Sequence, residues 1–308
     1  MNDTGLKMIE LDKIDDNMKL EYLVTHLTMK YDKDTAKKRL CECCLHELPD
    51  YVSKFGMEFF YINGYVEELK MLIDKHKASV NKSNRNWAEA YQLSSDYFFS
   101  NNASQSLMNR DILEKASNIK TDEPALICLI EFLKLTVYNQ MSEFSRLGNF
   151  LDVQPRLFDQ IDDQYLKKSF QIRLYQNLFM FHWARNELIM ARKYAFQVLN
   201  LTTNAKVKIN MHMNLGLTYT FDTYDQGMYH LREALILAKQ HEYVNSIRQI
   251  ENHNVPFLSA HFKKVDGVTS SDDSERAHIE IAKGYLEKAK TILDRIEINS
   301  PFKLYYLG

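Results

Sequence analysis

The sequence predicts an all-α fold in which helical hairpins stack side by side into a superhelical solenoid, and three observations carry that prediction. The first is a cadence written twice within 165–240. An apolar helix carrying Leu178 and Trp183 runs to Asn186, and Leu188, Ala191 and Ala195 then stand two, five and nine positions on. A second helix, carrying Leu215, Gly216 and Tyr219, runs to Asp222, and Tyr224, Gly227 and Leu231 occupy the same three offsets. Copies about 36 residues apart are the mark of a helical repeat. The second observation is that the register recurs: Gly64 is followed by Val66, Leu69 and Ile73, Gly148 by Phe150, Val153 and Leu157, and Gly284 by Leu286, Ala289 and Leu293. The third is that 9 glycines and 5 prolines in 308 residues leave little punctuation for an all-β chain.

The spacing has a physical reading. A tight turn between antiparallel helices favours a residue that tolerates a left-handed backbone, which is what Gly, Asn and Asp do. A small residue five positions on lets the second helix press against the first, and larger apolar residues fill the seam. The pattern is similar to that of tetratricopeptide (TPR) repeats, so the solenoid is expected to be TPR-like, with its clearest repeats at 165–240 and 276–297.

Taken in order, the chain opens with a polar tail over 1–18 that carries Asp12, Asp15 and Asp16. Apolar residues recurring at three and four positions then predict helices over 19–31, 34–46, 50–62 and 65–78. A polar connector over 77–86 precedes helices over 87–99, 105–117, 123–136 and 140–147, and Pro155 predicts a broken or late helix after Gly148. Beyond the central repeats, 244–264 reads as one apolar helix with a break near Pro256. A loop rich in Ser and Asp follows over 267–275, where Asp272 with Glu275 caps the next helix. The helix after Gly284 completes the last hairpin, and another begins at Pro301 with Leu304, Tyr305 and Tyr306. The repeat domain is thus expected over 19–308. It closes on aromatics where a solenoid usually closes on a polar cap.

Composition narrows the function. With 45% hydrophobic residues, the chain can bury a large core or a continuous stack of smaller ones. Lys and Arg number 39 against 41 Asp and Glu, so no global field attracts nucleic acid or an anionic membrane, and DNA binding by this chain alone is not expected. No run approaches the roughly 18 apolar residues of a membrane span, and the N-terminus lacks a signal-peptide core, which predicts a cytosolic protein. Of the four cysteines, Cys41, Cys43 and Cys44 are crowded and Cys128 is remote. Cys41 and Cys44 share a helix face near His46, but no second ligand pair follows at zinc spacing, so buried reduced thiols are expected and no metal.

No catalytic motif stands out. A phosphate-binding glycine loop, a nucleophile elbow, a metalloprotease histidine pair and a kinase signature are all missing from the sequence, and no cofactor is called for. His26, His46, His182, His212 and His230 are scattered along helices. A helical solenoid works by presenting a concave surface. In the hairpin register, the first helix of each pair faces that groove, which puts Arg173, Gln176, Met180 and Trp183 beside Asn210, Met213, Asn214 and Leu217, with Lys206 opening the second pair. Such a groove suits a short extended peptide, its backbone held by amides and its carboxylate by a cation. The alternative for Met180, Met213 and Leu217 is that they only pack hairpin on hairpin.

The string 165–170 (Tyr-Leu-Lys-Lys-Ser-Phe), Arg173 and Tyr175, 192–195 (Arg-Lys-Tyr-Ala), Gln197, Ala205, Gly216 and Phe221 resembles the AimR family, the arbitrium peptide-pheromone receptors of temperate Bacillus phages. The resemblance implies a TPR-like superhelix that binds a short phage-encoded peptide and controls the lysis–lysogeny decision through transcription. It also implies an N-terminal helix-turn-helix domain and a C-terminal dimer-closing segment, neither of which is expected in 1–308. Lys206 stands where the family has a peptide-holding arginine, which keeps the charge and loses the planar fork. Met180 and Leu217 replace gripping asparagines, and Asn214 falls on a further polar contact. A second reading stands beside the receptor: a scaffold without a small ligand, pairing through Tyr305 and Tyr306 with a second copy, a full-length receptor or another protein.

Overall fold

The computed structural model describes residues 14–99, 105–141, 143, 157–220 and 222–296, and among these every regular element is helical. The fold is all-α, as the periodicity predicts. The register at Gly148, the break at Pro155, most of the helix expected over 140–147, Asp12, Phe221, and the helix at Pro301 with Tyr305 and Tyr306 lie outside the described residues. The chain packs as two compact units, Met1–Asn177 and Leu178–Gly308, whose boundary falls inside one long helix.

The first unit opens with α1 (Asp16–Lys30) and α2 (Lys33–Glu42). Residues 16–18, expected in the polar tail, belong to α1. Asp32 starts α2, its carboxylate accepting the amides of Asp34 and Thr35. The helix then widens into a π turn over Cys43–Glu47 that buries Cys43 and Cys44. The single helix expected over 50–62 is two, α3 (Asp50–Ser53) and α4 (Gly56–Asn63), with a turn at Lys54 and Phe55 between them. That turn carries the Lys54 ammonium inward to Glu123 at 3.0 Å and to Ser83 Oγ at 2.7 Å. Gly56 is required where the chain passes Cys44, because a Cβ there would lie 2.6 Å from the Cys44 sulfur.

After α5 (Val66–Lys77), the connector expected over 77–86 proves shorter, since α6 (Lys82–Phe99) starts five residues before Trp87. Its first turn is polar, and Asn81 receives the Ser83 amide at 2.8 Å, so a helix start resembles a loop in sequence. α7 (Gln105–Asn118) and α8 (Pro124–Gln140) complete the run, and α8 continues through 137–139, where a gap was expected. Pro124 suits a helix start, where its missing N–H costs nothing. Successive helices pack on one another, the arrangement of a repeat protein in which each unit leans on its neighbours. Trp87, Tyr91, Phe60, Phe132 and Phe170 are fully buried, and each such side chain contributes about 1.5–3 kcal/mol by leaving water.

α9 (Gln164–Ala184) crosses the boundary, and the second unit continues with α10 (Leu188–Leu201), α11 (Ala205–Thr218) and α12 (Tyr224–Gln240). Then come α13 (Val244–Gln249), a π stretch over Ile250–Asn254, α14 (Val255–His261), α15 (Asp273–Ala282) and α16 (Leu286–Leu293). The break expected near Pro256 is the π stretch just before it, which absorbs the hydrogen bond that proline cannot make, and the segment ends at His261 and not at 264. Asp272 caps α15 by accepting the Glu275 amide at 3.1 Å, as its spacing predicts.

The turn chemistry read from the sequence holds at Gly64 (φ 71°), Asn186 (φ 60°) and Gly284 (φ 82°). In each, the next residue's amide reaches back five residues: Tyr65 to the Phe60 carbonyl, Glu187 to His182 and Tyr285 to Glu280. Glu242 (φ 57°) and Lys263 (φ 54°) make the same turn without the sequence mark. The closest approach predicted by the small residues is also present. A Cβ on Gly227 would lie 3.0 Å from the Gly216 carbonyl oxygen and 2.7 Å from Leu258 Cδ2.

Candidate functional site

Three stripes divide the surface of α11, because residues 100° apart around a helix sort into faces at spacings of three and four. Ile209, Met213 and Gly216 form the first, buried; Ile209 and Met213 sit in a core cluster with Met228, Leu231 and Ala234 of α12. Met211, Leu215 and Thr218 form the second, also buried. Here Arg192 of α10 donates through Nη2 to the Thr218 carbonyl at 2.6 Å and through Nη1 to Asp222 at 2.7 Å, with its guanidinium 3.8 Å from the Tyr219 ring centre. Lys206, Asn210, Asn214 and Leu217 form the third stripe, and it is open: Lys206 and Asn210 are exposed, Asn214 and Leu217 half-buried.

The open stripe holds one cation and two amides in a row about 12 Å long, at 1.5 Å rise per residue. Lys206, Asn210 and Asn214 have no side-chain hydrogen bond or ion pair among the described residues. Asn204 starts the helix by accepting the Val207 amide at 3.2 Å, which fixes where Lys206 stands. A ladder of free donors and acceptors at helical spacing can hold the backbone of an extended ligand, and the lysine can hold an anionic end.

The other predicted site residues are placed differently. Met213 is 5% exposed and belongs to the core, so for it the packing alternative applies. Met180 is 44% exposed, and Trp183 is half-buried with its ring 5.3 Å from Phe179. Gln176 is half-buried within the first unit. Arg173 has its guanidinium engaged inside the first unit. It donates to Glu58 at 3.1 and 3.4 Å and lies 5.0 Å from the Phe132 ring centre. Glu58 is fully buried and also accepts Tyr91 Oη at 2.8 Å and Ser169 Oγ at 2.6 Å. An acid inside the apolar run 56–61 is the sequence signal that a buried cation must answer it.

Two histidine arrangements lie within the second unit. His182 shares a hydrogen bond of 2.6 Å with Glu187 and stacks on Tyr194 at 5.3 Å, tying the end of α9 to α10. His212 and His230 face each other through Nδ1 atoms 3.1 Å apart, so one must donate and the other accept. Burial pushes His230 down to about 4, helped by His212 and Arg192 and opposed by Glu233, while burial also lowers His212. Cys41, Cys43, Cys44 and Cys128 are free and buried, and burial raises Cys41 to about 11 and Cys43 and Cys128 to about 12.

Helical hairpins joined by Schellman turns, with one open helix face, define a TPR-like helical-repeat protein. Its family is specific: the profile described as AimR transcriptional regulator-like matches residues 37–308, and the chain belongs to that family. Among solved structures it is similar to selenomethionine phAimR, at 19% identity and a TM-score of 0.73, covering 93% of this chain and 75% of that one. It is also similar to phAimR with a ligand, at 18% identity and a TM-score of 0.72, covering 96% and 88%. An uncharacterized protein of Bacillus anthracis is 21% identical over 207 residues, which is 63% of this chain and 76% of that protein.

Proposed function

We propose that the chain is a phage regulatory receptor that binds a short communication peptide along the open stripe of α11 and thereby controls the lysis–lysogeny decision through transcription. The observation that carries this reading is the row Lys206, Asn210 and Asn214, unpaired along one face of a helix whose other two faces are packed. The amides hold the peptide backbone, and Lys206 holds its terminal carboxylate as a point charge. Leu217 extends the stripe with an apolar contact, and exposed Met180 and half-buried Trp183 are the candidate side-chain contacts. Membership of a transcriptional-regulator family supports the output, and a ligand-bound phAimR supports a receptor role.

The test is calorimetry with synthetic peptides encoded beside the gene. Binding by one peptide to the wild type, weakened at least about tenfold in Asn210→Ala with Asn214→Ala, is the expected result. No binding by any such peptide, or equal binding by the double variant, contradicts the reading.

A further inference from the structure

We propose that a second site, an acidic cavity open at the surface of the first unit, binds an aliphatic ammonium group. The cavity is about 610 Å³ and is lined from the start of α1, the α3–α4 turn, the start of α8 and the residues leading into α9. Five of its lining residues are acidic, Asp15, Asp16, Glu123, Asp162 and Asp163, and one is a lysine, Lys54. Two of the carboxylates are already answered: Glu123 by Lys54 at 3.0 Å and by the Trp87 indole N–H at 2.9 Å, and Asp16 by Lys19 at 2.5 Å and Tyr51 Oη at 2.8 Å. Asp15, Asp162 and Asp163 have no ion-pair partner among the described residues.

Asp163 distinguishes this cluster from a solvated acidic surface. It is 5% exposed, and its Oδ1 caps α9 by accepting the Leu166 amide at 2.8 Å. Its Oδ2 is buried and has no hydrogen-bond partner among the described residues. A buried carboxylate oxygen without a donor is costly, so a site that supplies one from a ligand is a physical answer to it. Burial holds Asp163 up to about 6 against the amides of Leu166 and Tyr165, and Glu21 adds to the rise. An ammonium group in the cavity would draw it back down.

The walls specify the rest of the ligand. Val52, Phe55, Pro124, Ile161 and Leu166 give the cavity an apolar lining that suits a methylene stem, while the acids suit a cationic head. A bare metal ion fits less well, because among the described residues no three His, Cys, Asp or Glu side chains are placed to hold one. The ammonium can come from a free diamine or from a lysine side chain of a peptide.

Calorimetry on the full chain at pH 7.5 and low salt separates these sources. The probes are 1,5-diaminopentane, a lysine tripeptide blocked at both ends, and 1-pentanol as the uncharged control. At least one amine is expected to bind and the alcohol not to. Asp163→Asn keeps the capping oxygen and so keeps α9, yet is expected to weaken the amine at least about tenfold, as is Asp162→Asn on an exposed carboxylate. Binding by the diamine alone assigns a free amine, and binding by the tripeptide assigns a peptide lysine. If neither amine binds, or both variants bind as the wild type does, the proposal is overturned. Lys206→Ala should leave this binding unchanged, so its outcome is independent of that on α11.

Discussion

Arg173 Nη1 donates to Glu58 Oε2 at 3.1 Å, joining residues 115 positions apart in the interior of the first unit. Glu58 is fully buried, so removing the guanidinium leaves a charge held, among the described residues, by Tyr91 and Ser169. Breaking one side of such a pair costs about 3–5 kcal/mol, whereas replacing both partners with apolar residues is often neutral. Arg173→Met should therefore lower the urea midpoint strongly, and adding Glu58→Leu should recover most of the loss. Equal midpoints for wild type and Arg173→Met would show that the pair is not structural.

Gly216 and Gly227 set how closely α11 and α12 approach. Gly227→Ala would place its methyl 3.0 Å from a backbone oxygen that cannot move aside, and Gly216→Ala would lie 2.7 Å from Leu231. Each substitution should cost about 1–3 kcal/mol through overpacking, read as a lower unfolding midpoint. An alanine tolerated at both positions would mean the helices sit further apart.

At Glu242 and Lys263 the opposite substitution should stabilise. Both hold left-handed backbone, which costs a side-chain-bearing residue about 1–2 kcal/mol, and glycine gives back part of that as unfolded-state entropy. Glu242→Gly and Lys263→Gly are expected to gain about 0.5–1 kcal/mol each. A loss at both would contradict the turn geometry.

These turns show what was legible in the sequence. Gly64, Asn186 and Gly284 announce a left-handed residue by type, whereas at Glu242 and Lys263 the amides reaching back to Ala238 and Ser259 impose it on residues that do not advertise it. The ladder on α11 was readable because Lys206, Asn210 and Asn214 recur every four residues, a local pattern. The placement of Arg173 was not, because its partner is distant in sequence and only packing brings Glu58 beside it. Asp163 was hidden for a related reason: its spacing identifies a helix cap, while the cavity it lines is assembled from four separate segments.

Stability should rise between pH 4 and 6.5. His76 and His230 are held down to about 4 by burial, against 6.5 when unfolded, so in that window the unfolded chain binds more protons and acid destabilises. Lys75 and Lys54 add to the effect at His76 and Asp50 opposes it. Asp163, raised to about 6, acts in the opposite sense between 3.8 and 6 and offsets part of the gain. Each histidine contributes on the order of 1–3 kcal/mol. His230→Phe, set among Phe196, Tyr219 and Tyr229, should flatten the dependence of the urea midpoint on pH between 5 and 7. An unchanged slope would contradict the assignment.

Lys206 is proposed to receive the carboxylate of a peptide lying along α11. A calorimetric cycle tests it, with wild type and Lys206→Ala each titrated with the bound peptide and with its C-terminally amidated form. Either change alone should weaken binding by about 1–2 kcal/mol, and both together by no more than either change alone, because they remove the same interaction. Additive losses, or no loss in Lys206→Ala, would contradict it.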